Sequence, residues 1–205
     1  MKSAPFSVVG VMTAVLSAQT GGRFEEAKRL GVSYLESGQY DKAAGKFEEV
    51  WEENQSDVFV AENLALAYLN GESRKRDSGI TTKALELMKK AVEMGGRAPV
   101  LVLHSQERLS VLQGREFTNY CSGTLGFRPG KVQFVVAKCH SSAKPQPFDL
   151  TAGDIQEFDY DGGGKRGGFR IKTREKTYHF APRTFLREDA DLIMELARQY
   201  LAGGK

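Results

Sequence analysis

The stretch from Leu30 to Val50 constrains this chain most. Leu30, Gly31, Tyr34, Gly38, Tyr40, Ala43, Phe47 and Val50 recur there, with polar residues between most of them. Apolar residues three and four apart share one face of a helix. Gly38 breaks the run, and a glycine is a natural helix terminator because it adopts positive φ freely. The spacing predicts two short amphipathic helices, Phe24–Ser37 and Tyr40–Glu53, joined at Gly38–Gln39. Gly31 and Ala43 are small where two helices must cross closely. Tyr34, Tyr40 and Phe47 are large where the gap must be filled. Glu25 and Glu26 stand in the opening turn, where carboxylates suit the helix dipole.

A shift of 34 residues turns Leu30 into Leu64, Gly31 into Ala65 and Tyr34 into Tyr68. The second half of the unit returns seven residues late, with Ala84, Met88 and Ala91 matching Ala43, Phe47 and Val50. The delay falls in the polar stretch Asn70–Thr82, and insertions belong in such loops. A second hairpin is expected over 56–70 and 81–94. The pattern resembles the tetratricopeptide repeat (TPR), a helix–turn–helix binding scaffold. The resemblance implies an inner groove lined by the first helix of each unit. Here that means Glu25, Lys28, Val32 and Leu35, then Phe59, Glu62, Leu66 and Leu69. Val32 and Leu66 stand where carboxylate-clamping relatives carry asparagine, so the groove favours an apolar strand or helix. Two repeats bury little core, and solenoids usually need three or more. The rest of this chain, a second copy or a partner must cover the exposed face.

The periodicity changes after Gly95–Gly96. Val100–His104 is a β-rich run and Arg108–Leu112 reads as another. Cys121, Gly123, Leu125 and Phe127 alternate with other residues, then Arg128-Pro129-Gly130-Lys131 signals a type II turn before Val132, Phe134 and Val136. Strands are expected at Phe148–Leu150 and Asp154–Tyr160, and a last hairpin at Phe169/Ile171 and Tyr178/Phe180. Leu186–Leu201 is a helix whose apolar face is Leu192, Ile193, Leu196 and Tyr200. About seven short strands followed by one helix resemble a pleckstrin-homology (PH) barrel, in which the helix plugs one end. Another small barrel or an α+β sheet is the alternative. The fold class expected is α+β: TPR-like hairpins over 20–97, then a small PH-like antiparallel barrel with a C-terminal helix over 98–205.

Lys2 precedes an apolar run from Phe6 to Leu16 and then small residues, the order of a secretory signal peptide over 1–19. The run is too short to span a bilayer, which takes ~20 apolar residues. Net charge is +3, too weak to imply nucleic acid, although 98–205 carries 16 basic against 12 acidic side chains. Arg170, Lys172 and Arg174 alternate with apolar or small residues and share a face near Lys165, Arg166 and Lys176. That face is a solvated strand surface, or an anion or lipid-headgroup patch. With Phe127 opposite Val132, Cys121 faces Lys138, so a bridge between Cys121 and Cys139 requires a bulge or a register change. His104, His140 and His179 have no metal-ligand spacing, and Gly162-Gly163-Gly164-Lys165 lacks the serine or threonine of a phosphate loop. These features lead to the expectation of an exported, non-enzymatic adaptor without cofactor or metal, binding a protein or peptide. Peripheral membrane attachment through the basic face is the alternative.

Overall fold

Two Schellman turns frame the helical half. In the first, Gly38 takes φ 76°, its amide donates to Leu35 (3.1 Å) and the Gln39 amide donates to Tyr34 (2.8 Å). In the second, Gly95 takes φ 87°, with Gly95 to Val92 (3.0 Å) and Gly96 to Ala91 (2.8 Å). The first turn ends α1 (Val9–Glu36), and between the two turns the chain forms α2 (Tyr40–Trp51), α3 (Val58–Asn70), a single turn α4 (Ser73–Arg76) and α5 (Gly79–Glu93). The computed structural model describes residues 9–105, 120–140, 143–161 and 167–202. The first helix is longer than the sequence pattern required, reaching back to Val9 and so into the proposed leader. None of the described helices is long and apolar enough to cross a membrane.

The small-against-large crossing is present. A Cβ on Gly31 would lie 2.7 Å from the Phe47 ring, so only glycine lets α1 sit on that fully buried side chain. Asp57 caps α3 by accepting from the Val60 amide at 3.1 Å and also pairs with Lys28 of α1 at 2.8 Å. Tyr68 of α3 donates its hydroxyl to Glu48 of α2. Burial, then that carboxylate, push the phenol above its ordinary value. The insertion is built rather than loose. Asp41 accepts from the Glu72 and Ser73 amides and the Ser73 hydroxyl, which together hold its carboxyl below the usual range.

After α5 come β1 (Ala98–Ser105), β2 (Cys121–Arg128), β3 (Lys131–Cys139), β4 (Phe148–Thr151), β5 (Ile155–Tyr160), β6 (Phe169–Thr173), β7 (Thr177–Pro182) and α6 (Arg187–Leu201). The strands form one antiparallel sheet in the order β4-β3-β2-β1-β7-β6-β5, curled into a half-barrel. Residues 108–112, expected as a strand, lie outside the described residues. The interior is aromatic: Phe127, Phe134, Phe169 and Phe180 are fully buried, with Phe148, Phe158 and Tyr178 against them. Ile193, Met194, Leu196, Ala197 and Tyr200 of α6 join the same core.

Helices and sheet meet at β1, where seven of eight residues are buried. Arg97, at its start, is held by Glu62 of α3 through its amide (2.7 Å) and guanidinium (2.9 Å). Arg74 from the insertion pairs with Asp189 of α6 at 2.5 Å, and Arg183 lies 5.1 Å over the Tyr40 ring. The seam beside Leu69, Val100 and Ile193 keeps only about 20 Å³. That is room for about one water.

Gly31→Val should cost about 1–3 kcal/mol by forcing Phe47 aside. Gly45 lies in α2 with nothing near its missing Cβ, and Gly45→Ala should gain up to about 1 kcal/mol of helix propensity. Urea denaturation of both variants checks the pair.

Candidate functional site

The eight groove positions divide sharply. Leu66 and Leu69 are buried within the chain's own core, and Glu62 is engaged by Arg97. Lys28 bridges Glu25 and Asp57, each at 2.8 Å, and these two contacts, Asp57 first, raise its pKa. Val32 and Leu35 are half-buried against the core. Glu25 is exposed, and of the apolar positions Phe59 stays open, 46% exposed, with its ring edge-on to Phe47 at 6.3 Å. The structure therefore brings the first and third helices together but turns the inner part of the α3 face towards β1.

The basic strand is partly neutralised. Arg170 donates to Glu157, and that contact raises its pKa. Lys172, Arg174 and Lys176 are exposed, with the Lys176 ammonium 4.5 Å over the Tyr178 ring. Lys165 and Arg166 lie outside the described residues. Cys121 and Cys139 form a disulfide. The expected pairing of Cys121 with Lys138 is corrected by one residue: Gly123 faces Val136, Ser122 faces Lys138 and Cys121 faces Cys139. Ala137 is the extra residue of a bulge, which puts both sulfurs on one face.

Two features were not singled out from sequence. The first is a cleft of about 340 Å³ between β5 and α6, lined by Ile155, Phe158, Met194, Ala197 and Leu201, with Asp159 and Arg198 at its rim. β5 is the last strand of the described sheet, so one row of its backbone groups has no neighbouring strand there. The signal was readable in principle, because Met194, Ala197 and Leu201 at i, i+3 and i+7 give α6 a second apolar stripe.

The second feature is a buried polar array. His104 is 2% exposed among Phe134, Tyr178 and Phe180. Its Nδ1 lies 2.9 Å from the His179 carbonyl, which only accepts, so Nδ1 carries the hydrogen. That leaves Nε2 as the acceptor, with the Gln146 side chain acting on the same ring. His179 in turn places Nδ1 2.6 Å from Asp161, a fully buried carboxylate. Burial pushes the His104 imidazole below its ordinary value, against the pull of the His179 carbonyl. Among the described residues no group of three His, Cys, Asp or Glu side chains is arranged to hold a metal.

Comparison with protein-family models finds no match, and a search of curated proteins finds no significant match.

The depressed His104 pKa fixes a direction. Unfolded, this histidine binds protons below about pH 6.5; folded, it resists them until lower pH. Its contribution to stability is complete above about pH 6.5 and is lost as pH falls from there towards the folded pKa. His104→Phe should flatten the acid limb of a stability-versus-pH curve by up to one proton. An unchanged slope would assign the limb to other groups.

Proposed function

We propose that this chain is an exported, non-enzymatic interaction protein that holds an extended segment of another protein. In this reading the four long N-terminal helices are two TPR-like hairpins. The half-barrel with α6 is PH-like. The Gly31–Phe47 crossing and the 34-residue recurrence support the first assignment, and the sequential antiparallel order with a terminal helix supports the second. The apolar run before Ser17 supports export.

The observation that carries the binding role is the β5–α6 cleft. A free strand edge offers backbone donors and acceptors that an extended chain satisfies by adding a strand. The floor of Phe158, Met194 and Ala197 offers room for apolar side chains at alternate positions, and 340 Å³ lies at the small end of binding clefts. Phe59 is the open apolar residue of the helical face and the natural second contact. Neither surface needs a cofactor.

Selection of phage-displayed peptides on the full mature chain tests this. Ala197→Trp fills the cleft, and Phe59→Ala strips the helical face. Peptides should be retained by Phe59→Ala and lost by Ala197→Trp. The reverse pattern would move binding to the helices, and retention by both variants would refute the reading.

A second reading, attachment to an anionic membrane, draws on the three exposed cations Lys172, Arg174 and Lys176. It requires vesicle binding that weakens between low and physiological salt, where the screening length shortens to about 8 Å. Replacing these cations by glutamine should abolish such binding.

A further inference from the structure

Asn54, Gln55 and Ser56 form the triplet Asn-X-Ser, with a middle residue other than proline. That triplet is the acceptor signal for N-linked glycans in exported chains, and it works from a surface loop. The chain has four asparagines, at 54, 63, 70 and 119, and only Asn54 has serine or threonine two places on. Asn119 has Cys121 in that place, and its sulfur is bonded to Cys139.

The triplet lies in the link between α2 and α3, and all three of its residues are exposed. The backbone is pinned on both sides. The Asn54 amide donates to the Val50 carbonyl at 2.9 Å, and the Asp57 amide donates to the Asn54 carbonyl at 3.5 Å. Asp57 supplies the side-chain cap of α3, so that duty does not fall on Asn54.

The Asn54 side chain has a defined direction. Its Oδ1 accepts from the Ser56 hydroxyl at 2.7 Å and from the Ser56 amide at 3.2 Å. A backbone amide only donates, so the atom facing it is the oxygen. Nδ2, the atom that a glycan would join, therefore points away from Ser56 and donates to no described residue. The other two described asparagines spend theirs inside α3. Nδ2 of Asn63 donates to the Phe59 carbonyl and Nδ2 of Asn70 to the Leu66 carbonyl, both at 2.8 Å. The Asn54 and Ser56 side chains bond only within the triplet, so neither ties this turn to another element among the described residues.

We propose that Asn54 is the acceptor of one N-linked glycan. The proposal rests on the export reading above, and its site is separate from the β5–α6 cleft. The donor is an oligosaccharide joined through a diphosphate to a polyprenol, and an oligosaccharyltransferase of the export route carries out the transfer. A bond forms between Asn54 Nδ2 and C1 of the first sugar. The bond from C1 to the diphosphate oxygen breaks, and its electron pair leaves with the polyprenyl diphosphate. Nδ2 gives up one of its two protons to a base of the transferase.

The test expresses the full chain, with its own residues 1–19, in a eukaryotic secretory host and weighs the product intact and as peptides. The expected product has lost the leader and carries one glycan on the peptide that contains Asn54. Enzymatic removal of the glycan converts that asparagine to aspartate, which marks the site. Asn54→Gln and Ser56→Ala should abolish the modification, and Asn63→Gln should leave it unchanged. Ser56→Thr should retain it, which shows that the loss in Ser56→Ala is not a failure to fold. In a second arm the folded mature chain, made without glycans, is incubated with a purified oligosaccharyltransferase and its lipid-linked donor. An exported chain that has lost its leader and stays unmodified overturns the proposal and leaves export standing. A chain that keeps its leader fails the export reading, and the second arm then decides. Transfer to Asn54 upholds the acceptor site, and no transfer overturns it. Modification that survives Asn54→Gln also overturns it.

Discussion

Everything in this molecule leans on β1. It is the one strand whose burial is nearly continuous, because the half-barrel core takes one side and the helices take the other. Val100 and Val102 join a single apolar cluster that runs from Ala27 in α1 to Tyr200 in α6. Burial of apolar surface is the main favourable term in folding, worth about 25 cal/mol per Å². A strand buried on both sides therefore couples two units that could otherwise have been beads on a string. Arg97–Glu62 and Arg74–Asp189 add direction to that contact, since ion pairs specify which surfaces meet better than they strengthen the meeting.

This coupling answers the problem that a short stack of helical hairpins poses. Two helical hairpins leave an apolar end uncovered. Here the covering element is the strand that follows immediately in sequence, so no partner is needed at that end. Part of the face that might have served a guest is consumed in the process. Leu66 and Leu69 become core, Glu62 becomes a clamp on Arg97, and Phe59 is left as the open apolar residue. Among the described residues a second open surface lies at the far side of the sheet, where β5 ends the described ladder and α6 stands beside it.

The seven-residue insertion shows how an apparent irregularity can be structural. Polar composition alone marks Asn70–Thr82 as a loop. Asp41 nevertheless organises its first half, and Arg74 turns it into a strut between Leu69, Thr81 and α6. The same composition in another setting would be free chain. The difference is made by a carboxylate and a helix that are distant in sequence.

The sequence by itself determined the local elements. Helix period, the glycines at 38 and 95, the Pro129–Gly130 turn and the alternation through Phe134 and Ile171 all depend on residues a few positions apart, where backbone preference and patterning act directly. It also determined the Gly31–Phe47 complementarity, because a 34-residue recurrence carries its own packing. Tertiary structure decided the rest. A bulge at Ala137 reversed the facing of Cys139, since one extra residue exchanges the two faces of a strand. Burial of Leu66 and Leu69, the union of Arg97 with Glu62, the His104–His179–Asp161 array and the β5–α6 cleft all join residues far apart in the chain. No local pattern encodes which distant surface will cover a given face, because that choice belongs to the summed burial of the whole fold.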